Sequence, residues 1–222
     1  MTLPAASHDH AISIDLALEF LDTLEYTHGQ PTELLPTTAD ALDWLQEHGL
    51  LHDPCEAQFD AARVPGSEAD RTLARIRTVR AALREVVDAT VEDRTPNAQA
   101  VAVANEAMEA RQRLVLVARA TPPDPDDPEG EPCVVLSHEH VGDPLDDVLA
   151  RLAERIARGV SGEEAARLRI CDNDECRMPF YDASRTGKRR WCDMATCGNR
   201  AKAARHRARV RAGDAEASAT ES

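Results

Sequence analysis

Apolar residues recur at every third or fourth position through most of the chain. Leu16, Phe20 and Leu24, with Ala17 and Leu21 beside them, make a helical stripe ending near Thr27-His28-Gly29. Gln30 to Pro36 is a connection. Thr37 or Thr38 caps a second helix, with Asp40 in its first turn and Gly49 just past its end. Leu42 and Leu45 face the core there, with Trp44 at the edge. The longest helical pattern runs from Glu68 to Val91 through Leu73, Ile76, Val79, Ala82, Leu83, Val86 and Val87. Another helix, Asn97 to Arg111, begins after Pro96. Then the period shortens. Arg113 to Val117 and Cys133 to Ser137 predict two strands, joined by the proline-rich loop TPPDPDDPEGEP, which can sustain neither helix nor ladder. In Asp143 to Arg158, Leu145, Val148, Leu149, Leu152 and Ile156 share a helical face, and Arg158-Gly159 closes it. Val160-Ser161-Gly162 marks a boundary.

Composition agrees with a helical body. Aromatic residues make up 3% of the 222, and the apolar set is mostly Ala, Leu and Val. About 160 residues can bury a core; the 45 or so that follow need a metal, a disulfide or a partner. The N-terminus lacks the basic and apolar segments of a signal peptide, and no stretch approaches about 18 apolar residues, so the expected location is the cytoplasm, with no membrane. Six cysteines in a reducing compartment point to metal or free thiols.

The net charge of −14 conceals a split. Arg185 to Arg211 carries +9, and the rest of the chain −23. This is a basic binding element on an acidic body.

The chemistry concentrates in the same segment. Cys171 and Cys176, with four residues between them, are followed after fifteen residues by Cys192 and Cys197, again with four between. Two such pairs read as a four-thiolate site for one structural Zn2+, whose binding free energy of roughly 10–16 kcal/mol replaces a missing core. Four protein thiolates leave no open coordination position, so the metal is not catalytic. Their formal charge with Zn2+ is −2, which Arg189, Arg190 and Arg200, adjacent to ligands, can offset. His206 is a conceivable ligand, but four cysteines already fill the shell. Cys55 and Cys133 read as small buried residues.

The run RRWCDMATCGNRAKAARHRAR, Arg189 to Arg209, resembles the CGNR zinc finger, named for Cys197-Gly198-Asn199-Arg200. Cys171, Cys176 and Phe180-Tyr181-Asp182 before Ser184-Arg185 fit it too. Leu16 to Tyr26 and Ala39 to Leu51 resemble the ABATE domain that usually precedes that finger. The resemblance covers nearly the whole chain. It implies a transcription regulator, with the finger as DNA-binding element and the front domain as a stress or ligand sensor for a small-molecule or protein effector.

From about Asn199 to Arg211 the sequence predicts a helix on the order of 20 Å long. Arg200, Arg207 and Arg211 cluster on one side, Lys202, Arg205 and Arg209 nearly opposite, and Ala201, Ala204, Ala208 and Ala212 run between them. Cations flanking a small apolar stripe can reach phosphates on both walls of a groove; alternatively the alanines pack on the finger and the cations are simply solvated. Arg185, Lys188, Arg189 and Arg190 are expected on a β-hairpin turning at Thr186-Gly187. Asn199 and Arg200 have the chemistry for base contacts, or cap the helix and brace the zinc site.

Other chemistries find less support. In a strand His138 and His140 would share a face, but no third ligand accompanies them, and exposed histidines at a hairpin end are the better account. His28, His48 and His52 read as turn residues. Trp44 and Tyr26 line a small pocket or pack between helices. No phosphate loop, nucleophile elbow or carboxylate pair occurs, so an enzyme is not expected. The alternative to DNA binding is a zinc-stabilised protein-interaction module or ligand-sensing adaptor, including one whose basic finger docks on its own acidic body.

The expected architecture is mainly α with a small β-hairpin (α+β). An ABATE-like helical domain over 1–160 precedes a treble-clef-like zinc finger over 161–212 and a disordered tail over 213–222.

Overall fold

Ser13 accepts a hydrogen bond from the Leu16 amide and starts the first helix, α1 (Ile14–Asp22), whose Ile14, Ala17, Leu18, Phe20 and Leu21 are buried. The computed structural model describes residues 12–27, 30–51, 66–109, 112–120, 132–140 and 143–220. The helix stops one turn short of the apolar stripe. Thr23 turns its hydroxyl back to the Phe20 carbonyl, and its own carbonyl accepts from the Leu34 amide. Leu24 therefore enters a strand. Antiparallel β1 (Leu24–Thr27) and β2 (Gln30–Glu33) pair from Leu24↔Glu33 to Thr27↔Gln30, replacing the expected helix end and connection. His28 and Gly29 lie outside the described residues, as do His52 and Cys55.

Helix α2 (Thr38–Glu47) follows its signals closely. Thr37 accepts from the Asp40 amide while Asp40 accepts from the Thr37 amide, a reciprocal capping box. At the other end Leu50 N–H reaches the Leu45 carbonyl and Gly49 N–H the Gln46 carbonyl, the Schellman pattern, with Gly49 at φ +67°. Helix α3 (Ser67–Val91) buries Ile76, Val79, Ala82, Leu83 and Val87. Buried Arg80 on it is tied to Glu33 at 2.5 Å and to the Thr23 hydroxyl, which pins the first hairpin on α3. Helix α4 (Ala98–Met108) is capped by Asn97.

The two expected strands are longer than their apolar runs. Antiparallel β3 (Gln112–Ala120) and β4 (Pro132–His140) pair from Gln112↔His140 to Ala120↔Pro132. His138 and His140 fall at the open end; their side chains, that of Cys133 and the joining loop lie outside the described residues.

Helix α5 (Pro144–Ser161) is capped by Asp143 and buries Leu145, Val148, Leu149, Leu152 and Ile156. Gly159 lies within it rather than closing it, and a Cβ there would come 2.9 Å from Ile14 Cδ1. The glycine permits close approach of α1 and α5. One core joins α1, α2, α3, α4 and α5, and it also takes in Leu168 and Tyr181 from beyond the boundary. A 3-10 turn (Glu163–Arg167) leads into β5 (Leu168–Ile170), which pairs antiparallel with β6 (Pro179–Tyr181). The last helix, α6 (Asn199–Thr220), continues as far as Thr220 into the stretch 213–222 read as a disordered tail; its alanines and the absence of proline sustain the helix. The chain is thus mostly helical with small two-stranded sheets, and no helix among the described residues is long and apolar enough to cross a membrane.

Candidate metal centre and its basic surround

The β5–β6 pair delivers the first two cysteines. Cys171 N–H donates to the Met178 carbonyl, and Asn173 to Arg177 forms a tight turn in which Cys176 and Arg177 N–H groups both donate to the Asn173 carbonyl. Arg177 takes φ +54° to close it. The hairpin thus encloses the first cysteine pair, with β5 before Cys171 and β6 after Cys176, and no second strand follows β6 before Cys192. This corrects the expected hairpin: residues 182–190 contain no strand, although a turn does occur at Ser184 to Gly187. The reason is Asp182. Its wholly buried carboxylate accepts from the Ser184 and Arg189 amides and folds the segment back on itself. Burial pushes against ionisation, but these hydrogen bonds hold the Asp182 carboxyl down at about 2.

The second pair sits on a different device. Asp193 accepts from the Thr196 amide and hydroxyl, starting a π-helical turn (Met194–Gly198) that feeds directly into α6. Such a turn suits a spacing of five between Cys192 and Cys197.

The four sulfurs converge. Cys171, Cys176, Cys192 and Cys197 Sγ atoms all lie within 4.8 Å of one another. Cys176–Cys192 is 3.7 Å and Cys192–Cys197 3.8 Å. A tetrahedron with metal–sulfur bonds of about 2.3 Å has edges of about 3.8 Å, so the donor set fits Zn2+. The electrostatics agree. Burial first, and then the charge of Cys171, push the Cys176 thiol up to about 12, and burial with the neighbouring sulfurs raises Cys192 as well. Burial acts on Cys197 too, but the Asn173 amide, 3.5 Å from its sulfur, helps hold it below the usual thiol range. Four such sulfurs become thiolates together only around a positive centre. His206 is exposed on α6, outside the cluster.

The arginines divide into two groups. Arg189 donates to the Cys192 carbonyl at 2.5 Å and lies over the Phe180 ring at 5.0 Å. Arg190 pairs with Asp172 at 2.5 Å and lies over Trp191. Both therefore brace the centre, as their position next to a ligand suggested. Asn199 donates to the Ala195 carbonyl and braces the π turn. By contrast, Arg185, Lys188, Arg200, Lys202, Arg205, Arg207 and Arg209 are exposed. Arg205 also reaches over Trp191 at 6.0 Å. Ala201 is half-buried, but Ala204 and Ala208 are exposed too and do not pack on the finger. Arg211 and Ala212 lie in α6, but their side chains are outside the described residues.

Several supports were not singled out from the sequence. Arg167 donates to the Asp182 and Ser184 carbonyls, and Arg169 to the Gly187 carbonyl. Arg84 on α3 donates to Asp88 and to the Arg177 carbonyl, while Arg177 pairs with Glu92 at 3.1 Å. The Asp182-Ala-Ser184 spacing of an Asx turn was a readable signal; the reach of Arg84 across 93 positions was not. Among the described residues no ion pair joins α6 to the acidic body; the finger meets the body through Arg84, Arg177 and Glu92 instead.

Comparison with known families agrees with this geometry. Residues 167–210 match the CGNR zinc finger, and residues 15–167 match ABATE, whose description is "Putative stress-induced transcription regulator". No curated protein matches the chain. The ABATE match spans well over half of the 222 residues, and the chain belongs to that family, one of regulators rather than enzymes. With the CGNR match, the clustered cysteines constitute a Zn2+ site.

Proposed function

Starting from membership in that family, we propose that the protein is a DNA-binding transcription regulator whose zinc finger presents α6 to the phosphate backbone. Zn2+ held by Cys171, Cys176, Cys192 and Cys197 cross-links the tight turn to the helix start and is structural. Arg189, Asn173 and Asn199 hold that frame. One observation carries the reading. On a chain of net charge −14, the α6 cations Arg200, Lys202, Arg205, Arg207 and Arg209 all face solvent, and none forms an ion pair among the described residues.

A helix whose apolar residues are small alanines and the exposed Val210 has little of its own to bury. Like charges at Lys202/Arg205 and Arg205/Arg209 repel at helical spacing. An anionic surface would relieve that repulsion, and phosphates supply it. The exposed Arg185 and Lys188 extend the same surface. In this reading the body is residues 1–160 and the finger 161–212, with Leu168 and Tyr181 of the finger seated in the body's core.

The test is DNA binding by the zinc-loaded protein across a salt series, beside an Arg205→Ala/Arg209→Ala variant. Affinity is expected to fall steeply with salt, and the variant to lose about 0.9 per phosphate contact from the log–log slope, on the order of 2 in all. Zinc-loaded protein that binds no DNA at low salt would overturn the reading in favour of a protein-interaction module or ligand-sensing adaptor.

A further inference from the structure

A cleft of about 260 Å3 opens where the body meets the finger. Glu19 and Asp22 of α1, Thr23, Glu25 of β1, Leu34, Trp44 of α2 and His48 line it from the body, and Met178 from the finger. The wall is not a generic acidic face. Asp22 Oδ1 is completely buried and has no hydrogen-bond partner. Trp44 is held rigidly, stacked on His48 with centroids 4.0 Å apart and packed against Phe20 at 5.9 Å. Met178 touches both the cleft and the sulfur cluster.

Charge is unbalanced at this point. Arg84 is the cation facing Asp22, but its guanidinium is committed to Asp88 and the Arg177 carbonyl. Among the described residues no ion pair reaches Glu19, Asp22 or Glu25. A carboxyl with one oxygen buried and unpartnered is costly to the fold, and since Asp22 as a whole is only half-buried its other oxygen is the one a ligand in the cleft would meet. Beside a rigid indole face and two further carboxylates, it is the arrangement that takes up a positive group.

We propose that this cleft is an effector site for a small organic cation, a primary amine with an apolar or aromatic part, whose ammonium pairs with Asp22 and whose apolar part lies on Trp44 and Met178. The ligand would touch the body and the finger at once, because Met178 also packs on the zinc site and its carbonyl receives the Cys171 amide. Calling the bound molecule an effector rests on the regulator reading; its binding does not.

Binding should release a proton. Burial holds the Asp22 carboxyl up at about 8, against the opposing pull of Arg84 and with Glu25, Glu19 and Asp88 raising it further. Cation affinity therefore rises as the pH approaches that value, with Glu19, Glu25 and His48 the other titratable side chains on the cleft wall.

Calorimetry on the full zinc-loaded chain, without DNA, tests the site with tyramine as probe and its uncharged counterpart 4-ethylphenol as control. Tyramine should bind saturably with one site per chain. Both 4-ethylphenol on the native chain and tyramine on the Asp22→Asn variant should bind about tenfold more weakly or worse, the loss of one charge-assisted bond. A Trp44→Leu variant should weaken tyramine while leaving its proton release in place. Equal binding to Asp22→Asn and native protein, or no saturable binding of tyramine or putrescine at millimolar concentration, would overturn the proposal. Neither result bears on DNA binding, so the two readings fail separately.

Discussion

The body and the finger solve the same problem with different materials. The body buries Phe20, Leu21, Leu42, Leu45, Ile76, Leu83, Leu149, Leu152 and Ile156 almost completely, and its helices need little else. In the finger the buried cluster is three cysteines, with Met178, Trp191 and Cys192 against them. Its other ties are polar: Arg167, Arg169 and Arg189 donate to backbone carbonyls, and Asp182 gathers two amides. The lesson is that an apolar core tolerates imprecision in any one contact, whereas the finger hangs on one centre. Leu168 and Tyr181 belong to both, since they stand in the body's core while flanking the cysteine turn.

The largest effect should come from breaking the centre. Cys192→Ser leaves three sulfurs and forfeits most of a binding free energy of order 10 kcal/mol, so zinc stoichiometry should fall and residues 171–198 lose hydrogen-exchange protection. The helices of the body should stay protected, because their core contains no metal ligand. A variant that keeps one zinc per chain would show that the four-cysteine centre is misassigned.

The reciprocal substitution comes next. Leu149 is completely buried in α5, so Leu149→Ala should cost about 2–5 kcal/mol of body stability. Zinc content at room temperature should not change. Should Leu149→Ala strip the metal as readily as Cys192→Ser, the seam at Leu168 and Tyr181 would be strong enough to make the two regions one cooperative unit, and the contrast between them would vanish.

The same contrast explains what could be read in advance. Periodic burial is a local signal, so α2, α3 and α5 and their apolar faces stood in the sequence, and the capping box at Thr37 and Asp40 fixed one start. Cysteine spacing is local too, and it named the metal centre. What failed was decided at a distance or by competition. Leu24 kept the helical spacing yet became a strand, because Thr23 and Leu34 close a hairpin that Arg80 fastens to α3 through Glu33. Gly159 looked like a stop signal, but it lies within α5, where Ile14 approaches it closely. The basic hairpin was lost to Asp182, whose buried carboxylate outcompetes strand pairing for the Ser184 and Arg189 amides. Arg189 and Arg190 show the limit of charge counting, since composition cannot separate a cation that braces from one that faces solvent.

The smallest effect sharpens the comparison at the seam itself, where Asp22 and Met178 share the cleft. Burial raises the Asp22 carboxyl from 3.8 to about 8 in the folded chain. Between those values the unfolded chain has released this proton and the folded chain still holds it. The stability the protonated group contributes is therefore complete below about pH 4 and is lost as the pH rises towards about 8. The slope stays below the limit of about 1.4 kcal/mol per pH unit for one proton, because the carboxyl keeps an edge on the cleft. Asp22→Asn removes the titration while keeping the shape, so denaturant midpoints across that window should decline less with pH than those of the native chain. Parallel profiles would mean that Asp22 is ionised and solvated in the folded protein. The seam would then be as polar and as open as the finger's surface, and the boundary of the apolar body would lie one layer further in, at Phe20 and Leu21.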